Sequence, residues 1–171
     1  MKIRKALLSD IEQILPLYRM ARDFQRNVLN LIQWEDNYPS RSQLLEDIRN
    51  HGSYVVMEDN KLNREERIVG TFYLGSGPDR VYLPLKAHWE NLDQIVTLHR
   101  IASHLESSGV GNYVFRWLQE NFDHVMVDTH DQNEVMKHLI NKHQFKYLGV
   151  VTLEKGGLRN TYEWVKGDSL C

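Results

Sequence analysis

Apolar residues along this chain fall into two spacings. In about four stretches they recur every third or fourth position, and in about seven others they alternate or run together, the marks of amphipathic helices and of strands. Lys2–Ala6 reads as a strand. Ser9 then offers a cap with Glu12 at capping-box spacing, and Ile11, Ile14, Leu15, Tyr18 and Ala21 or Arg22 mark one face of the helix that follows. Pro16 lies within that helix and predicts a bend or a division. Residues 24–39 are less regular and end in Tyr38-Pro39. Ser40 or Ser42 can cap a second helix that buries Leu44, Leu45 and Ile48 and stops near Gly52. Ser53–Glu58 and Arg67–Leu74 predict a hairpin around a polar turn, Asp59–Glu66.

Residues 75–93 carry Gly, Pro and aromatic residues without a period. A loop that long inside a compact domain is uncommon without a function, so it is a candidate functional or interaction loop. The most informative stretch comes next, at residues 94–118. Gln94–Ser103 is rich in β-branched and apolar residues and reads as a buried strand. From Val110, the spacing of Val114, Trp117 and Leu118 is helical, and Gly109 and Gly111 stand where that helix begins. A helix start has backbone N–H groups without intrahelical partners and a partial positive charge, and glycine removes the Cβ atoms that would keep a bulky anion away. This is a candidate cradle for a phosphate or pyrophosphate. A dinucleotide fingerprint would need glycine at Val114, and a Walker loop would need Gly-Lys-Ser/Thr, so both are excluded. His124–Thr129 is a fifth strand, Asn133–Gln144 a helix with Val135, Met136, Leu139, Ile140 and His143 near one face, and Phe145–Leu153 and Thr161–Val165 a closing hairpin around Lys155-Gly156-Gly157. The order β-α-α-β-β-β-α-β-α-β-β is a mixed α/β pattern.

Composition narrows the function classes. The 171 residues suit one domain, 1–171, with enough chain for a real core. The hydrophobic fraction of 42% and charged fraction of 26% are those of ordinary soluble proteins. A net charge of −2 gives no reason to expect nucleic acid or an anionic membrane as partner. The single cysteine, Cys171, excludes an internal disulfide and a cysteine-based zinc site, and as a terminal residue it is a poor nucleophile. No metal site is expected. No run is apolar enough to span a membrane and no signal peptide is recognisable, so a cytoplasmic location is the default expectation.

Glu106-Ser107-Ser108-Gly109-Val110-Gly111 after a strand resembles motif A of the GCN5-related N-acetyltransferases, the GNAT superfamily, which has Gln/Arg-x-x-Gly-x-Gly/Ala; Glu106 departs from it at the first position. Asp128-Thr129-His130-Asp131-Gln132-Asn133 with the later Gln144-Phe145 resembles motif B, in which a strand, an Asn and a helix end in Gly-Phe. The element order is similar to the family's over nearly the whole chain. Gln33-Trp34, Tyr38-Pro39 and Leu98-His99-Arg100-Ile101-Ala102 resemble an uncharacterised bacterial subgroup. The resemblance implies a GNAT fold: a mostly antiparallel sheet of about seven strands, splayed between the fourth and fifth, with about four flanking helices.

It also implies acetyl-CoA as co-substrate and an amine as acceptor, in a protein that is a monomer or homodimer. The pyrophosphate would meet the N–H groups of Gly109, Val110, Gly111 and Asn112. The pantetheine arm would lie along the backbone of Ile101, Ala102 and Ser103, and Asn133 would bond the ligand or brace the strand. Asn133 also reads as a plain helix N-cap. A lysine-like amine has a pKa of about 10.4, so freeing its lone pair at neutral pH costs about 4–5 kcal/mol. His99, on the central strand, is the candidate base, against the plainer reading of a packed core histidine. Arg100 points to the other face, to hold a carboxylate or brace a loop. The family's thiolate-protonating tyrosine falls at Ile140, which has no proton to give. Water, Tyr147 or Tyr113 remain as acids, or thiolate leaves unprotonated, or the protein binds acyl-CoA and catalyses little. Trp34, Tyr38, Tyr82 and Trp89 are candidate walls of an acceptor pocket, with ordinary core packing as the alternative. No acidic cluster in the sequence points to a polyamine.

Overall fold

The computed structural model describes residues 1–59, 66–154 and 156–168. Most of the expected Asp59–Glu66 turn, Lys155 of the closing turn, and Cys171 lie outside the described residues. Among the described residues there are seven strands and four α-helices. These are β1 (Lys2–Lys5), α1 (Ile11–Asn27), α2 (Arg41–Arg49), β2 (Ser53–Asp59), β3 (Glu66–Ser76), β4 (Ile95–Ser103), α3 (Val110–Asn121), β5 (His124–Thr129), α4 (Glu134–Lys142), β6 (Lys146–Thr152) and β7 (Leu158–Val165). Short 3-10 turns occur at Leu8–Asp10, Arg80–Tyr82 and Leu92–Gln94. The strands form one sheet in the order β1-β2-β3-β4-β5-β7-β6. The β1–β2, β2–β3, β5–β7 and β6–β7 pairings are antiparallel, whereas β4 and β5 run parallel.

The chain forms two compact units, residues 1–74 with 100–114, and residues 75–99 with 115–171. In the first, Ile11, Ile14, Leu17 and Tyr18 of α1, Leu44 and Ile48 of α2, Val55 and Met57 of β2, Ile68 of β3 and Trp34 make one apolar cluster. Each fully buried side chain of that size contributes about 1.5–3 kcal/mol. The buried face of α1 runs through Leu17 rather than Leu15, which is only partly buried. Pro16 does not divide α1. Pro16 and Glu12, four residues back, both lie on its exposed face, where water hydrates the carbonyl that loses its donor. The helix entry also differs from expectation. Asp10, not Ser9, stands at the N-cap of α1 but makes no side-chain cap bond to it: its Oδ2 accepts the Leu7 N–H at 2.8 Å across the preceding 3-10 turn, and its carboxylate takes Arg4 in a fork at 2.6 and 3.0 Å. Ser40 caps α2 as expected, accepting from the Gln43 N–H at 3.1 Å.

In the second unit, Tyr82, Ile95, Met126 and Val151 form the core, with Val81, Leu85, Ala87, Trp89 and Leu148 packed on it. The aperiodic stretch 75–93 thus folds back as a cover on its own unit. In α4, Val135 is exposed and Ile140 is the deeply buried residue. The β4–β5 ladder pairs Ile95–Leu98 with His124–Val127 and goes no further, although both strands continue. His99 and Asp128 are the first residues past its last pair.

Candidate functional site

In the first unit, α3 begins where the chain leaves β4. Gly109 has φ +81°, a left-handed conformation that costs an L-residue about 1–2 kcal/mol, and nothing lies within 4 Å of where its Cβ would stand. Its carbonyl accepts the Tyr113 N–H at 2.9 Å, which makes Gly109 the N-terminal boundary of the helix. Val110 and Gly111 stand in the first turn, whose N–H groups have no carbonyl four residues back within the helix. Gly70 of β3 sets how close this end lies to the strand: a Cβ there would come within 2.6 Å of Val110 Cγ1. The loop carries a cation that sequence reasoning missed. Arg67 Nη2 reaches the Ser107 Oγ at 3.4 Å and Glu58 at 3.4 Å, and its side chain is 45% exposed. Nothing in the spacing of Arg67 links it to the glycines; the strand brings it there.

Ile101, Ala102 and Ser103 follow along β4, beyond the residues that pair with β5. Arg100, just before them, has φ 51° inside a strand. Its guanidinium donates to Asp47 Oδ1 at 2.8 Å and Tyr38 Oη at 3.0 Å and lies 4.3 Å above the Tyr73 ring. Burial pushes the Asp47 carboxyl up and the Arg100 guanidinium opposes it. Of the two expectations for Arg100, bracing matches these contacts. Trp34 meets Tyr18 and Tyr38 edge-on at 5.9 and 6.3 Å within the first unit's core.

The second unit holds a different cluster, at the end of the β4–β5 ladder. Asp79, His99 and Asp128 each bring a ligand atom within 4.8 Å of the other two. His99 Nε2 is 3.5 Å from Asp79 Oδ1. Asp128 accepts the Tyr82 O–H, and its Oδ1 faces Arg159 Nε at 3.7 Å. Tyr82 is fully buried. Burial pushes the Asp128 carboxyl up, while the Tyr82 bond, His99 and Arg159 pull it down. One imidazole and two carboxylates form a donor set of the kind a divalent cation takes. Arg159 already brings a positive charge to Asp128, which suits the group better to handling protons. Asp79 and Asp128 meet at His99 because a cover loop and a parallel neighbour strand bring them there.

Comparison with known proteins fits this geometry. No family profile and no curated protein matches the chain. Among solved structures, a GNAT-family acetyltransferase from Streptococcus agalactiae superposes with a TM-score of 0.82 at 28% identity, over 98% of this chain and 96% of that one. The chain has the GNAT fold, and this likeness supports membership of the GNAT superfamily. More distant structures share the fold: a GNAT-family acetyltransferase from Bacillus cereus (TM-score 0.64, 16% identity, 98% of each chain) and a ribosomal-protein-alanine N-acetyltransferase from Brucella melitensis (TM-score 0.58, 15% identity, 96% of this chain and 99% of that one). The Streptococcus agalactiae neighbour supports acetyl transfer as the general activity.

Ile140, at the position where the resemblance places the family's tyrosine, has a fully buried side chain. Tyr147 lies on β6 with its ring 5.4 Å from Tyr162 and is 53% exposed. Tyr113 donates its O–H to the Met1 carbonyl at 2.6 Å. Asn133 caps α4, accepting the Met136 N–H at 3.1 Å, so the plain reading of that residue holds. Trp89 donates its indole N–H to the Leu85 carbonyl at 2.9 Å within the cover loop. No helix is long and apolar enough to cross a membrane among the described residues.

Proposed function

We propose that this protein is an acetyl-CoA-dependent N-acetyltransferase that moves acetyl directly to a primary amine. The observation that carries the reading is the start of α3: a left-handed glycine with open space above it, followed by first-turn amides, in a chain with the GNAT fold. Acetyl-CoA supplies an acetyl group activated as a thioester and carries a pyrophosphate. The amides of Gly109, Val110, Gly111 and Asn112 suit that pyrophosphate, and Arg67 at the same loop supplies a positive charge for a phosphate. The backbone of Ile101, Ala102 and Ser103 would hold the pantetheine amides. Asn133, already a helix cap, would bond the ligand or brace the strand.

His99 would take the proton from the acceptor ammonium. With the lone pair free, a C–N bond forms as the C–S bond breaks and its electron pair leaves with sulfur. A thiol has a pKa of about 8.5, so departure as thiolate is tolerable without a tyrosine at Ile140. Tyr147, exposed on β6, is the protein's candidate acid. The buried Ile140 favours a second reading, a GNAT-fold protein that binds or senses acyl-CoA without turnover. Thiol release from acetyl-CoA across a panel of amines separates the two. The proposal expects release that depends on the acceptor. Binding of acetyl-CoA with no release over any acceptor would establish the sensor instead.

A further inference from the structure

The acceptor has no assigned chemistry, and the cluster around His99 supplies one. His99 stands between two carboxylates of different character. Asp128 is mostly buried, accepts Tyr82 and faces Arg159, so its charge is partly offset. Asp79 comes from the cover loop, and its side chain is 42% exposed beside the imidazole. A carboxylate has about four lone-pair sites, so one that already has partners within the fold can accept a further donor from solution. Tyr82 lies three residues on, is fully buried in the second unit's core and is bonded to Asp128. That anchor holds the adjoining loop, and Asp79 with it, against the ladder end. The resulting site is an exposed anion next to a proton acceptor.

We propose that Asp79 recognises the acceptor, and that the acceptor is an amine with no carboxylate beside it, such as a diamine or a lysine side chain. The inference rests on the acetyltransferase reading above. The substrate ammonium donates an N–H to the Asp79 carboxylate. One of its protons passes to Nε2 of His99, the ring nitrogen that faces Asp79. The amine keeps its electron pair for the C–N bond, and the imidazolium is left between Asp79 and Asp128, whose charges stabilise it. A free α-amino acid would bring its own carboxylate against both aspartates and be repelled.

Thiol release at saturating acetyl-CoA tests this, with 1,5-diaminopentane, Nα-acetyl-lysine amide and free alanine as acceptors, for the wild-type protein, Asp79→Asn and Asp79→Glu. The wild type should prefer the first two over alanine. Asp79→Asn should raise their KM about tenfold or more, a charge-assisted bond being replaced by a neutral one, and erase the preference. Asp79→Glu should restore most of it. The KM for acetyl-CoA and the melting midpoint should not move, as they would if Asp79 only braced the loop. Turnover with alanine preferred, or with the same preference in Asp79→Asn, overturns this inference alone. Absence of release with every acceptor overturns it together with the acetyltransferase reading.

Discussion

Glu163 shows how single residues set the character of this protein. It is almost fully buried on β7, with His88 Nδ1 at 3.0 Å from one carboxylate oxygen, His124 Nε2 at 3.2 Å from the other, and the His88 N–H donating at 3.1 Å. Burial alone would push its pKa up, but His124 and His88 outweigh burial and hold it down to about 2. A carboxylate depressed in the fold stabilises it fully above its ordinary value of about 4.5, and that contribution is lost as pH falls towards 2. The whole shift corresponds to about 3 kcal/mol, and with His88 half-exposed to solvent screening about 1–2 kcal/mol is expected. Urea unfolding of wild type and Glu163→Gln from pH 5 to pH 2 checks it: the stability gap should close across that window, and parallel curves would contradict the assignment. At this scale the sequence was least legible. Arg67, Asp79 and Glu163 are ordinary charged residues in the sequence, and they meet Ser107, His99 and His88 from well along the chain. Only spacings enforced by local structure, such as Ser40 to Gln43 or Asn133 to Met136, could be read directly.

At the scale of elements, periodicity does most of the work. Each strand and α-helix is visible in the spacing of apolar residues, because a helix or strand that buries one face must repeat its apolar positions at its own period. What escaped were the three 3-10 turns and the continuity of α1 through Pro16, which depend on solvation and on local hydrogen bonds rather than on period. The contact that seats α3 also has a sequence-silent cause. Gly70 reads as a mild weakness in a strand, yet it is the residue over which Val110 lies. Gly70→Ala would place a Cβ 2.6 Å from Val110 Cγ1 and 3.3 Å from Val56 Cγ2. The β3 backbone and the start of α3 would have to part, at about 1–3 kcal/mol of stability. Thermal unfolding should show that loss and acetyl-CoA binding should weaken with it. An unchanged midpoint would mean that the helix end is free to shift.

For the whole molecule, the element order and the two motifs were enough to reach the GNAT fold, since the order of strands and helices constrains topology more tightly than any single residue does. The identity of the acceptor was not legible, because the groups that would recognise it meet only when the sheet is assembled. The start of α3 is where the cofactor's pyrophosphate would bind, and melting in the presence of acetyl-CoA measures that binding. A ligand at a hundredfold excess over its dissociation constant stabilises by about 2.7 kcal/mol, or roughly 5–10 °C for a chain of this length. Gly109→Glu would set a carboxylate where the pyrophosphate would sit. The wild type should rise by that amount and Gly109→Glu not at all; no rise in the wild type, or an equal rise in both, would show that the start of α3 does not hold the cofactor.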